Sequence, residues 1–222
     1  MSRITDYAFL FQKSFGTSGV NSIGSFQLSQ LNSSSVQAQL KAAGINTNSK
    51  QYKSAVKQMM SAGNGAMYGN IQGIKNLMSH YDKDGDYINP VNGLSGLLVT
   101  DENESSRKKI ISIPDSSKEE MYELTKKEFL RENGVCNGDT TKRTDVYNNL
   151  YRKMSKKDRL AAGYTLEKYE RIYRQAFYDA AKKADPNWEI GKPIKEGALD
   201  NVTRESIEAK KSLAQSTVDT KI

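Results

Sequence analysis

The chain has 222 residues, 36% of them hydrophobic, with a formal net charge of +7 and a mean hydropathy of −0.70. Such a length supports a sizeable core, and such a low hydropathy implies exposed or extended stretches beside it. No apolar run approaches the ~18 residues of a membrane span, and a single cysteine, Cys136, and a single histidine, His80, exclude an intrachain disulfide, a thiolate metal cage and a two-histidine metal motif.

Charge and composition vary along the chain. Residues 1–80 hold seven of the 33 Lys and Arg but one of the 26 Asp and Glu, and so carry +6 of the +7. A basic half of this kind suits nucleic acid or an anionic surface. These lysines are sparse and alternate with small polar residues, which is the pattern of a solvated basic face. Composition divides the chain into an aromatic arm with a Ser/Gly-rich linker (1–33), a region of short helices (34–81), a mainly helical domain (82–205) and a polar helical tail (206–222).

Residues 1–15 cluster Tyr7, Phe9, Phe11 and Phe15. Exposed alone, such a cluster is sticky, so it reads as an extended N-terminal arm that docks on a protein partner or on a second copy. The apolar run 7–11 is too short for the core of a signal peptide. The default location is therefore the cytoplasm, with export without a cleaved signal left open. From 16 to 35 Gly and Ser dominate, as in a flexible linker, although Phe26, Leu28 and Leu31 recur within it.

Three short helices follow. Ser34 or Ser35 caps 36–43, Asn48 or Ser49 caps 50–62, and a third helix over 68–81 presents Ile71, Ile74, Leu77 and Met78 on one face, with Met67 just before it. His80 at the end of the third suits a helix C-terminus. The next run, YDKDGDYINP over 81–90, holds the densest acidic cluster. Asp82, Asp84 and Asp86 fall at the first, third and fifth positions of a helical-hand calcium loop, with Gly85 free to bend between them. They are the candidate metal ligands, and calcium is the candidate cofactor. The rest of that pattern fails: the glycine of the sixth position is Tyr87, and the bidentate Glu of the twelfth is Gly93. The alternative is a solvated turn, which Asp and Gly favour by bonding local backbone.

Residues 87–114 are the least helical, either a short β-hairpin pairing 97–100 with 109–113 or an irregular segment. Beyond Pro114 the helical signal returns over 116–133, where Ser117 and Glu120 have capping-box spacing, and over 144–154. A short turn to Gly163 precedes the longest helix, from a Thr165 cap to Ala184, stopped by Asp185 and Pro186. Trp188 anchors a strap across the helices, and Thr203 caps a last one. Tyr147, Tyr151, Tyr164, Tyr169, Tyr173 and Tyr178 read as a helical core with hydroxyls at its rim. The alternative is stacking platforms for bases or sugars, against which Glu167 and Glu170 would repel phosphates. The fold class is mainly α, a multi-helix domain.

The runs YDKDGDYINPVNGLSGL, NGDTTKRTDVY and YERIYRQAFYDAAKKADPNW resemble an uncharacterised family of bacterial proteins, a domain of unknown function, over roughly residues 80–205. The resemblance implies a bacterial origin and brings no activity, cofactor or catalytic residue with it.

Three functional readings follow. The first is a non-enzymatic protein-interaction or structural module with a calcium-stabilised loop. The second is a carboxylate-dependent, glycan-directed hydrolase, which needs two acids across a cleft; a buried Glu120, Glu128 or Glu167 would favour it. The third is a nucleic-acid binder working through residues 1–80, with steep salt dependence. No catalytic residue stands out, and Cys136 reads as a structural thiol.

Overall fold

Apolar side chains at three- and four-residue spacing dictate helices. Helices dominate the computed structural model, which describes residues 25–62, 68–134 and 143–210. The chain divides into two units, Met1–Leu98 and Val99–Ile222, and each closes an apolar core of its own. The aromatic arm with Tyr7, Phe9, Phe11 and Phe15 lies outside the described residues, as do Met67 and Cys136.

In the first unit β1 (Phe26–Gln27) pairs antiparallel with β2 (Tyr68–Gly69), Phe26 opposite Gly69. A 3-10 turn, Leu28–Gln30, leads into α1 (Ser34–Ala42), followed by α2 (Lys50–Ala62) and α3 (Ile71–Met78). Phe26, Leu28 and Leu31 are buried with Leu40, Met59 and Ile74. The last part of the expected linker is therefore core, because its apolar residues find partners more than forty residues away, as β1 does in β2. The cap of α1 is Ser33, one residue before the expected pair, and its hydroxyl accepts the Val36 amide at 3.3 Å. Ser49 caps α2 as expected, accepting the Tyr52 amide at 3.1 Å. Helix α3 is shorter than 68–81, since β2 takes its first residues and Asn70 caps it by accepting the Gly73 amide at 2.7 Å.

The stretch 87–114 is the irregular segment; neither 97–100 nor 109–113 is a strand. At the end of the segment, the Ile111 amide donates to the Thr165 hydroxyl at 3.1 Å, so no second strand is needed to satisfy it.

The second unit is built on α4 (Asp115–Glu132), α5 (Arg143–Lys153) and α6 (Arg159–Ala184), with α6 packed against both others. Met121, Phe129, Leu150, Leu166, Tyr173 and Phe177 form the centre of the core. Two local expectations fail. Ser117 lies inside the first turn of α4, fully buried, so the capping box with Glu120 does not form; Lys118 pairs with Asp115 at 2.8 Å instead. The break at Gly163 and the cap at Thr165 are absent, and α6 runs unbroken through both. Gly163 is there because Tyr151 comes so close that a Cβ would sit 2.6 Å from its hydroxyl. Thr165 returns its hydroxyl to the Ala161 carbonyl at 2.8 Å, a bond that suits a helix interior.

The strap forms as expected. Trp188 is buried against Phe129 and Tyr178, and its Nε1 donates to the Lys192 carbonyl at 2.9 Å. The buried Asn133 side chain joins the end of α4 to this strap, accepting the Gly191 amide at 2.7 Å while donating to the Phe129 carbonyl at 2.7 Å. A last helix, α7 (204–210), starts where the Thr203 hydroxyl accepts the Ser206 amide. It is docked by buried Ile207 and by Glu208, which accepts the Tyr173 hydroxyl at 2.7 Å. No helix among the described residues is long and apolar enough to cross a membrane.

Candidate functional site

The acidic run 82–86 folds as a closed turn. Tyr81 and Tyr87 form an antiparallel bridge, with their rings edge to face at 5.9 Å, and the Asp82 amide donates to the Asp86 carbonyl at 2.9 Å. One carboxylate oxygen of Asp82 accepts two backbone amides, from Asp84 at 2.9 Å and Asp86 at 3.0 Å. Gly85 has φ +86° and lies directly on α2; a Cβ there would meet the Ser54 hydroxyl at 2.7 Å and the Lys50 carbonyl at 3.0 Å. Gln51, also on α2, donates to the carbonyls of Met78 and Tyr81 at 3.0 and 2.7 Å. The turn thus fastens the end of α3 to the start of α2. Among the described residues no group of three or more His, Cys, Asp or Glu is placed to hold a metal ion.

The three glutamates offered for hydrolysis lie apart in role. Glu167 is paired with Arg171 within α6. Glu120 accepts Asn149 at 3.0 Å and Lys153 at 3.2 Å, which joins α4 to α5. Glu128 is buried, and it shares Arg143 with a second buried carboxylate, Glu170, which the sequence marked only as an acid among the tyrosines. Arg143 reaches Glu128 at 2.9 Å, and Arg174 adds contacts to Glu128 at 3.4 Å and to Glu132. The hydrogen bond it donates to Glu170 holds the Arg143 guanidinium well above its usual range, outweighing its partial burial. The cluster joins α4, α5 and α6. No local motif announces it, because its members come from three separate helices and meet only when these pack. Beside it Tyr147 is pushed up to about 12, first by burial and then by the Glu170 charge.

A third feature lies along α6. The helix and the segment 198–210 enclose a groove of about 1020 Å³. Ile172, Ala176, Ala180 and Ala184 recur every fourth residue and so share one ridge of α6, which forms the first wall. Ala198, Val202 and Ile207 form the second. The charged lining is Lys168, Arg171, Lys183 and Lys210 against one acid, Asp179, whose carboxylate accepts the Gln175 side chain at 2.8 Å. The sequence places Ile172, Ala176 and Ala180 on the apolar face of α6; the second wall has no local signal, since 198–210 returns to α6 only through the Trp188 strap.

The basic residues of 1–80 that can be placed, Lys41, Lys50, Lys53, Lys57 and Lys75, are exposed and spread over α1, α2 and α3. The model of a family described as a domain of unknown function (DUF3879) matches residues 45–222, from Ile45 in the first unit through the whole of the second. No curated protein and no solved structure matches the chain.

Proposed function

The chain belongs to this family of domains of unknown function, and on that premise we propose that it is a non-enzymatic protein-interaction module. The groove along α6 carries the reading: it is concave, floored by apolar side chains and rimmed by charge, the anatomy of a surface that receives another polypeptide. Its floor residues Ile172, Ala176, Ala180 and Val202 are half-buried and packed on the core beneath. The aromatic arm with Tyr7, Phe9, Phe11 and Phe15 is a second contact in this proposal, for a partner or another copy.

The test places a photo-crosslinking amino acid at Gln175, exposed in the groove, or at Glu123, exposed on α4. A crosslinked polypeptide specific to position 175 is expected in cells that make the protein. Equal capture at both positions, or none at 175, counts against an interaction surface there.

A further inference from the structure

We propose that the occupant of the α6 groove is an amphipathic helix of a partner protein, with leucine-like side chains on one face and carboxylates flanking them. This rests on the interaction reading above and adds to it the chemistry of the partner.

Shape argues for a helix. The alanines at 176, 180 and 184 leave a shallow furrow beside the ridge of α6, and Val202 and Ile207 stand across from it. Large side chains of an incoming helix can interdigitate there, as ridges fit grooves when two helices pack. From Lys168 to Ala184 the wall is about 24 Å long at ~1.5 Å per residue, which matches a partner helix of about 16 residues.

Charge argues for acid. Lys168, Lys183 and Lys210 line the groove against one carboxylate, Asp179; a fourth cation, Arg171, is already paired with Glu167. Complementary charge selects partners and speeds their encounter. The same rule disfavours occupants from the chain itself. Residues 1–24 carry Arg3 and Lys13 against Asp6, residues 211–222 carry Lys211 and Lys221 against Asp219, and a second copy brings +7. A polyanion such as nucleic acid would satisfy the rim yet leave the apolar floor uncovered.

The experiment measures binding of three labelled peptides of about 16 residues to the full chain by fluorescence anisotropy. All carry Leu at helical spacing on one face; the other face is Glu-rich, Gln-rich or Lys-rich. The Glu-rich peptide is expected to bind tightest, to weaken with added salt, and to lose about tenfold in affinity to the double variant Lys183→Glu, Lys210→Glu. Both positions are exposed, and circular dichroism checks that the variant stays folded. Tightest binding of the Gln-rich or Lys-rich peptide, or a Glu-rich peptide indifferent to the double variant, overturns the acidic-helix proposal and leaves an interaction groove of other specificity. Binding by none of the three overturns both.

Discussion

A single carboxylate and a single glycine decide the turn at 82–86. Asp82 satisfies two backbone amides, and Gly85 supplies both the positive φ and the missing Cβ that let the turn lie on α2. Gly85→Ala should therefore lower stability by about 1–3 kcal/mol, and Asp82→Ala by about 1–2 kcal/mol, each read by urea unfolding. Thermal unfolding in millimolar calcium and in chelator tests the turn for an ion, and an equal midpoint in the two leaves it closed by its own hydrogen bonds. A calcium-dependent rise that disappears when Asp82, Asp84 and Asp86 are all changed to Asn would assign an ion to the turn instead, since a ligand of the folded state must stabilise it. Titration of the tyrosines is a second residue-scale test. Tyr147 is raised to about 12 by burial and by Glu170, and Tyr173 is raised by burial and by Glu208. Unfolded tyrosine ionises near ~10. The folded chain holds these protons longer, so their contribution to stability is whole below pH ~10 and is lost as the pH climbs toward 12 and beyond. Ultraviolet absorbance of phenolate against pH should show both groups ionising late, together with alkaline unfolding.

Helices are where the sequence speaks most clearly. The boundaries of α2 could be read residue for residue, and α4, α5 and the end of α6 nearly so, because a 3.6-residue apolar repeat and a Ser, Pro or Gly at the ends are local signals. The errors came from reading punctuation without its context. Gly163 and Thr165 look like a stop and a cap, yet Gly163 makes room for a tyrosine of α5, and Thr165 serves a chain segment 54 residues earlier. β-branched residues at 97–100 and 109–113 favour extended backbone, but they do not supply a neighbouring strand. Of the candidate sites, the acidic turn was legible and the groove only by half. The Glu128–Arg143–Glu170 cluster was not legible, since three helices must pack before its members meet. That cluster makes a prediction at the scale of elements. Arg143→Met would take the ion-pair partner from the buried Glu170 and leave Glu128 only its longer contact with Arg174, a loss of about 3–5 kcal/mol. Adding Glu170→Gln should recover much of it, because the buried charge left stranded is then gone.

For the whole molecule, two separate cores mean that stability is two quantities rather than one. Gly85→Ala should shift an unfolding transition of the first unit and Arg143→Met one of the second, and calorimetry of the two variants should show different transitions moving. The family match runs from Ile45 in the first unit through the whole of the second, so it takes in residues of both cores. The hydrogen bond between Ile111 and Thr165 also has a timetable. The run KIISI at 109–113 is apolar and β-prone, preceded by Lys108 as a charged guard, and its amide is satisfied by a hydroxyl that lies 54 residues downstream. A ribosome adds ~5–20 residues per second, so this segment is synthesised about 3–11 s before its partner. During every round of translation the run is therefore made before the helix that receives it, and Ile111 and Ile113 wait for their docking site.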